Sequence, residues 1–99
     1  YRAREQADLI FTDELLGLAR ARGARVFTVL GRRTTRRPSW LPENAAHLSD
    51  VDALRHLVPD LAAHDVYICG NPQWMDRVEA AARAGGVPAA NIHVERFVY

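Results

Sequence analysis

The sequence predicts an α/β protein with a partial parallel sheet and flanking helices, and two observations carry that prediction. Short apolar, β-branched stretches typical of strands alternate along the chain with stretches of helical periodicity. One of the strand-like stretches, 65–70, contains four consecutive apolar residues, which is typical of a parallel strand buried on both faces. With 99 residues, the chain is one small domain or part of a larger one.

The first periodic segment predicts an amphipathic helix over 8–22. Phe11, Leu15 and Leu18 fall on one face of such a helix, and Asp8 is a plausible N-cap. The next run, 24–30, is β-branched and aromatic and ends at a glycine, so it predicts a largely buried strand.

No sustained period extends over residues 32–49, a length that indicates a functional or mobile loop. The loop begins with four arginines around two threonines, Arg32, Arg33, Arg36 and Arg37. Such a cluster could contact nucleic-acid phosphates. The aromatic residues of a stacking surface are missing there, so we favour a flexible surface loop near the adenosine end of a nucleotide cofactor over a nucleic-acid interface.

The second half predicts helix, strand, helix and strand. A short helix over 50–58 is followed by the strand 65–70. Asn71 and Pro72 form a strong helix start, as N-cap and first helical residue, and Gly85-Gly86 ends that helix. An alternating apolar pattern over 91–99 predicts the final strand.

Composition and charge exclude several function classes. The chain is 48% hydrophobic and its net charge is +1, so it is globular and has no general attraction for nucleic acid or anionic lipid. No apolar run approaches the roughly 20 residues that span a bilayer. The four histidines are too scattered for a metal site with the single cysteine. We expect a cytoplasmic protein, or the cytoplasmic part of a membrane protein.

The turn after the strand 65–70 is the leading candidate site. In open α/β sheets, ligands bind beyond the carboxyl ends of the strands, where Cys69 and Gly70 lie. Gly70 allows close approach to the backbone, and the helix that starts at Asn71 presents free N–H groups. A plain alternative is that Cys69 is a small buried apolar residue. A nucleophilic pair of Cys69 with His93 is conceivable but has no third, orienting group.

The stretch 65–72 (DVYICGNP), followed by Trp74-Met75 and ending in IHVERF over 92–97, resembles the C-terminal half of the nicotinamide-binding domain of the ferredoxin–NADP reductase superfamily. Residues 1–4 and 8–15 resemble that domain's second strand end and the helix after it. Ser39-Trp40-Leu41-Pro42, with Trp74, is more similar to the ferric reductase and NADPH oxidase-like branch.

The resemblance implies roles for residues at the strand ends. Cys69 would lie beside the nicotinamide ring without acting as a covalent nucleophile, and Glu95 would be the carboxylate near it. Phe97 would be the aromatic residue that covers the flavin. The nucleotide-binding turn would comprise Gly70, Asn71, Pro72 and Trp74.

Arg4 and Arg2 match the position at which this superfamily reads the adenosine 2′-substituent. An arginine there can hold a 2′-phosphate through two hydrogen bonds, so NADP is favoured over NAD. The plain alternative is a solvated charged turn.

The resemblance implies a parent protein that passes hydride from NAD(P)H to FAD, and then electrons to a haem, iron or iron–sulfur acceptor. The flavin-binding domain and the pyrophosphate-binding turn of that superfamily have no counterpart here, so we expect part of a longer flavoprotein reductase, inactive alone. In the sheet of that superfamily, two further strands lie between the strands that correspond to 24–30 and 65–70. Without them, the edges of 24–30 and 65–70 pair directly, take strands from another chain or stay open. A different class, a non-catalytic α/β nucleotide-binding or interaction module, remains the alternative.

Overall fold

Four strands and three helices alternate along the part of the chain that the computed structural model describes, residues 2–4, 12–25 and 27–96. In chain order they are β1 (Arg2–Ala3), α1 (Thr12–Arg22), β2 (Val29–Leu30), α2 (Asp50–Leu57), β3 (Val66–Gly70), α3 (Pro72–Ala84) and β4 (Ile92–Arg96). The predicted α/β class and the predicted order of elements are confirmed.

The strands form two separate parallel pairs. In one pair, β1 runs beside β2 with Arg2 opposite Val29, and the Gly31 N–H donates to the Arg4 carbonyl at 3.0 Å just beyond it. In the other pair, β3 runs beside β4 over five residues each. Within the described residues no strand joins the two pairs, so the partial parallel sheet keeps open edges.

Local signals explain why the β3–α3–β4 unit forms as predicted. The Asn71 side chain accepts a hydrogen bond from the Gln73 N–H at 2.9 Å, and Pro72 occupies the first turn of α3. The helix ends at Gly85, whose N–H donates to the Ala81 carbonyl at 2.9 Å. The last strand is confirmed over Ile92–Arg96, and residues 97–99 lie outside the described part.

The core lies between one face of the β3–β4 pair and the helices α2 and α3. Met75 at its centre is fully buried. The other buried members of this cluster are Trp40, Leu41, Ala53, Ile68, Val78 and Ala81. The 32–49 loop therefore contributes two core residues, Trp40 and Leu41, although its sequence has no periodicity.

Burial of β3 on both faces, as its apolar run predicted, is wrong. Ile68 is buried against the helices, whereas Tyr67 is 78% exposed and Cys69 is also exposed on the opposite face. The ring of His93 stacks on Tyr67 with centroids 4.6 Å apart. The other face of the pair is therefore open, because a strand alternates its side chains whatever their chemistry.

Two predictions in the first third of the chain are corrected. Leu18 was expected in the buried stripe of α1 but is 60% exposed, whereas Ala19 beside it is buried. The predicted strand over 24–30 is confined to Val29–Leu30, and Phe27 before it is exposed, with the Arg25 guanidinium carbon 6.0 Å from its ring centroid. The N-cap and Phe11 predicted for this helix lie outside the described residues.

Residues 32–49 have a defined fold, which corrects their interpretation as a flexible surface loop. The chain doubles back so that Arg33 and Pro42 form an antiparallel bridge. On either side of it, the Thr34 N–H donates to the Leu41 carbonyl at 3.0 Å and the Glu43 N–H donates to the Arg32 carbonyl at 2.9 Å. The first two arginines of the cluster are thus held at defined positions.

The carboxylate of Asp50, at the start of α2, anchors this loop. It accepts hydrogen bonds from the Ser39 hydroxyl at 2.5 Å and from the Trp40 N–H at 3.4 Å, and Arg37 lies 3.4 Å away. The Trp40 indole N–H donates to the Asp50 carbonyl at 3.1 Å. Arg37 also donates to the carbonyls of Ala46 and Leu48.

Replacing Asp50 with alanine should lower the free energy of unfolding by about 2 kcal/mol, because hydrogen bonds to a charged group each contribute about 1.5–3 kcal/mol. Asp52→Ala is the matched control, since it removes the same charge from the same helical turn but leaves the loop contacts intact. The Asp52→Ala control should lower the free energy of unfolding by about 0.5 kcal/mol, because it removes only the interaction of this carboxylate with the helix dipole. Urea denaturation measures both, and equal losses would contradict the anchoring role of Asp50.

Candidate functional site

A cavity of about 1090 Å³ separates the β1–β2 pair from the β3–β4 pair. Its lining includes residues from β1 and β2 and from the carboxyl end of β3, with Leu54 and Leu57 of α2 and Val78 of α3 as apolar walls. The carboxyl ends of parallel strands are where α/β proteins bind their ligands. We therefore take this cavity as the candidate site.

One side of the cavity is strongly cationic. Five arginines line it, and among the described lining residues none is acidic. They are Arg2, Arg4, Arg25, Arg32 and Arg33, and Thr34 and Thr35 belong to the same lining. This side of the cavity suits an anionic group with several oxygen acceptors, such as a phosphate.

Arg2 is the best anchored of these arginines. Its Nε donates to the Trp40 carbonyl at 3.2 Å, and its Nη1 lies 3.5 Å from the Val29 carbonyl. Partial burial lowers the pKa of Arg2 from its usual value, and the nearby positive charge of Arg33 lowers it further. The guanidinium stays protonated at neutral pH, and both effects make its charge less well stabilised than that of an arginine in water.

The turn after β3 forms another part of the lining. Cys69, Gly70 and Asn71 all contact the cavity, and the Cys69 thiol is exposed, so the alternative of a buried apolar cysteine is wrong. A Cβ added at Gly70 would lie 3.1 Å from the Trp74 ring. Only a glycine lets the backbone approach that ring so closely.

Trp74, on the first turns of α3, also lines the cavity. Its indole N–H is buried and has no hydrogen-bond partner within the described part of the chain. A buried donor without a partner is energetically costly. Pro72 lies behind it as the first residue of α3 and does not belong to the described lining.

Glu95 lies on β4 directly opposite Cys69 in the strand register, with its side chain exposed. The carboxylate is therefore beside the turn, although it is not among the described cavity-lining residues. His93 stands opposite Tyr67 instead, with its Nε2 3.2 Å from Asp65 Oδ1. The conceivable pair of Cys69 with His93 is thus not formed. Phe97, predicted to cover the flavin, lies outside the described residues.

The four arginines of the 32–49 loop divide into two groups. Arg36 pairs with Glu43 at 2.6 Å, and Arg37 is bound by Asp50 and two carbonyls, so neither contributes to the cavity. Hydrogen bonds from Thr34 and then Arg36 hold the pKa of Glu43 below its usual value. The sequence predicted this cluster near the adenosine end of a nucleotide cofactor, where Arg2 was also expected, and of its four arginines Arg32 and Arg33 line the same cavity as Arg2. The sequence signal for this placement is that Arg32 and Arg33, like Arg4, follow a parallel strand directly.

Across 2–4, 12–25 and 27–96 no three histidine, cysteine, aspartate or glutamate side chains converge in an arrangement that could hold a metal ion. In the same part of the chain no helix combines the length and the apolar character needed to cross a bilayer.

Comparison with known proteins finds two similar curated proteins. The chain is 29% identical over 97 residues to the ferredoxin reductase component of 3-ketosteroid-9-alpha-monooxygenase from Rhodococcus rhodochrous. It is 29% identical over 100 residues to the reductase component of propane 2-monooxygenase from Rhodococcus jostii. Each match covers 98% of this chain but only 25% and 26% of the relative, so the chain spans about a quarter of their length.

No family model and no solved structure matches the chain. The two relatives are reductase components of oxygenase systems, and they support the resemblance to the ferredoxin–NADP reductase superfamily at that broad level.

Replacing Gly70 with alanine should destabilise the protein by about 1–3 kcal/mol, since the added Cβ would crowd the Trp74 ring at a backbone φ of +156°. Gly17→Ala is the control, and its expected effect on stability has the opposite sign. Gly17 lies within α1 with nothing inside 4 Å of the added Cβ, so alanine should stabilise by about 0.5–1 kcal/mol. Tryptophan fluorescence during urea unfolding measures both, and a neutral Gly70→Ala variant would show that the ring does not need this gap.

Proposed function

We propose that the chain is the nicotinamide-binding part of a flavin-dependent reductase that passes hydride from NAD(P)H to FAD. The parent protein then passes electrons to a haem, iron or iron–sulfur acceptor. One observation carries the proposal. A single cavity joins the arginines that follow β1 and β2 to the Cys69–Gly70–Asn71 turn that follows β3.

The cavity matches the chemical division of a dinucleotide. The adenosine end of NADP carries a 2′-phosphate, for which Arg2 and Arg4 offer guanidinium groups beside the end of β1. The nicotinamide end is a flat, largely apolar ring with a carboxamide. The exposed Cys69 and the side chain of Trp74 line the part of the cavity where such a ring would lie.

The bound nicotinamide supplies the hydride, and the chain's own residues supply orientation. Cys69 and Gly70 would border the ring, and Asn71 and Pro72 would shape the turn beside its ribose and the pyrophosphate. Glu95, opposite Cys69 on the next strand, would place a carboxylate near the carboxamide. Phe97 would cover the flavin face until the nicotinamide displaces it. Holding the reacting rings in fixed geometry supplies much of the rate enhancement in such reactions.

We infer that residues 1–99 form one partial NAD(P)-binding domain of a longer flavoprotein, whose own flavin domain is the partner for hydride transfer. Two observations support this. The chain spans a quarter of the length of its curated relatives. The cavity also exceeds the roughly 300–1000 Å³ of ordinary ligand pockets and separates two open parallel pairs, so it could accommodate a further strand as well as a ligand.

The acceptor and the branch of the superfamily are finer questions. Ser39-Trp40-Leu41-Pro42 resembles the ferric reductase and NADPH oxidase-like branch, whereas both curated relatives are reductase components of monooxygenases. We therefore favour an iron-containing oxygenase component, or the ferredoxin that serves one, as the acceptor. NADP is favoured over NAD because of the arginines beside β1.

Alkylation of Cys69 tests where the nicotinamide lies. Cys69 is the only cysteine of the chain and its thiol is exposed, so one mass increment reports its reaction with iodoacetamide. Saturating NADPH should slow this reaction about tenfold by covering the thiol. Adenosine 5′-monophosphate, which lacks the nicotinamide, should leave the rate unchanged.

The alkylation is performed with the chain and with the full-length protein that contains it. The Cys69→Ser variant gives the background rate of reaction with iodoacetamide. If NADPH binds by calorimetry without slowing alkylation, the nicotinamide does not lie at Cys69. If NADPH binds to neither protein, the proposed function itself is wrong.

A further inference from the structure

We propose that Thr35 is a phosphorylation site, and that a phosphate on it lowers the affinity of the cationic side of the cavity for anionic ligands. The modification and its effect on anions rest on the described residues. Only the identity of the anion, a nicotinamide dinucleotide, rests on the proposed function above, so the two can fail separately.

The run 32–39 (RRTTRRPS) contains the pattern Arg-Arg-x-Thr/Ser twice. The hydroxyl of the first copy belongs to Thr35 and that of the second to Ser39, and Thr34 is a third hydroxyl in the same run. Kinases that select basic substrates recognise arginines on the amino side of the acceptor through acidic residues of their own. The sequence alone therefore offers several acceptors and does not choose between them.

Burial selects one of the three hydroxyls. Ser39 is 2% exposed, and its hydroxyl donates to the Asp50 carboxylate. Thr34 is 5% exposed, and its hydroxyl oxygen accepts a hydrogen bond from the Arg36 N–H at 3.2 Å. A kinase reaches neither of them without opening the loop. Thr35 is exposed, so it is the acceptor that the fold leaves accessible.

The backbone places Thr35 at the tip of the loop. The bridge between Arg33 and Pro42, and the hydrogen bond from the Thr34 N–H to the Leu41 carbonyl, close the base of this tip. Thr35 follows directly, in a bent segment without helix or strand. Exposed loop tips are the segments that another protein reaches without unfolding a domain. The two arginines of the first pattern lie at the same end of the loop.

Thr35 lines two cavities at once. One is the candidate site, and the other is a smaller cavity of about 540 Å³ that the loop shares with α3. Arg33 also lines both, and Arg77 of α3 lines the smaller one, where Asp76 is the one acidic residue among the described lining. A phosphate on Thr35 would therefore lie among guanidinium groups on either side of the loop.

The modification is a phosphoryl transfer from ATP. The Oγ1 atom of Thr35 forms a bond to the γ-phosphorus, while the bond from that phosphorus to the oxygen bridging it to the β-phosphate breaks. ADP leaves, and the catalytic base of the kinase takes the hydroxyl proton. The product carries a charge of about −1.5 to −2 at neutral pH.

This new charge would oppose anion binding in the larger cavity. Arg32 and Arg33 precede Thr35 in the chain and line that cavity with it, and no described lining residue is acidic. The phosphate would be the first negative charge there. It attracts the guanidinium groups that an anionic ligand would otherwise meet, and it repels the phosphates of the ligand itself. It therefore acts as a tethered competitor.

Tandem mass spectrometry of the natural full-length protein, purified from the organism that makes it, tests the site. We expect one phosphoryl group on Thr35 and none on Thr34 or Ser39. An arginine-directed kinase with ATP should give the same product in vitro, and Arg33→Gln should slow its formation roughly tenfold by breaking the first pattern. Arg77→Gln is the matched control, because it removes the same charge outside the run 32–39, and it should react like the wild type.

Calorimetric titration with inorganic pyrophosphate and with NADPH tests the effect on anions. The phosphorylated full-length protein should bind pyrophosphate roughly tenfold or more weakly than the unmodified protein. Thr35→Glu should show a smaller loss, because a carboxylate carries a single charge. Ala80→Glu is the control for added charge, since Ala80 is exposed on α3 and belongs to neither described lining, and it should bind pyrophosphate like the wild type.

The outcomes separate this proposal from the proposed function. A natural protein without phosphate on Thr35, or with phosphate on Thr34 or Ser39 instead, overturns the site. Absent or equal pyrophosphate binding by the unmodified and phosphorylated proteins, or an equal loss in Ala80→Glu, overturns the competition. If phosphorylation weakens pyrophosphate binding but NADPH binds to neither form, the proposal stands and the nucleotide function is wrong.

Discussion

The carboxylate of Asp50 is the contact on which the cationic side of the cavity depends. It binds the Ser39 hydroxyl and the Trp40 N–H, and thereby fixes a loop that has no regular secondary structure of its own. Trp40 is then buried beside Met75 in the core, while its carbonyl accepts the hydrogen bond from Arg2 Nε. One half-buried acid thus connects the start of α2, through the loop, to the arginine that faces the ligand cavity.

The second constraint is the division of the sheet into two parallel pairs. The β3–β4 pair is packed on α2 and α3 through one face only, and its other face exposes Tyr67, Cys69, His93 and Glu95. An exposed thiol at the carboxyl end of a strand is available to a bound ring, which a buried thiol would not be. Cys69 is accessible because this face of the β3–β4 pair is left uncovered.

The elements set by local signals could be predicted from the sequence, and those set by distant contacts could not. Asn71-Pro72 and Gly85-Gly86 define α3 because capping depends on adjacent residues. The burial of β3 depends on which elements cover each of its two faces, and its four consecutive apolar residues do not specify those elements. The ordered 32–49 loop depends on Asp50, which lies eleven residues beyond Ser39. Likewise, the sequence predicted the turn at Cys69 as a candidate site, and it does line the cavity, whereas the position of Arg33 required the bridge to Pro42.

The arginines of this loop show why counting charges does not identify a binding surface. Arg37 donates to two carbonyls and lies beside the Asp50 carboxylate, a task that suits the several fixed donors of a guanidinium better than a single ammonium. Arg36 is held by Glu43. Arg33, from the same run of sequence, lies 3.5 Å from the neutral amide oxygen of Gln73 on α3 and has another arginine nearby. Identical side chains thus become structural ties or remain at the cavity according to what the fold places opposite them. The four arginines therefore do not count as one phosphate-binding surface, because Arg36 and Arg37 are already engaged within the chain.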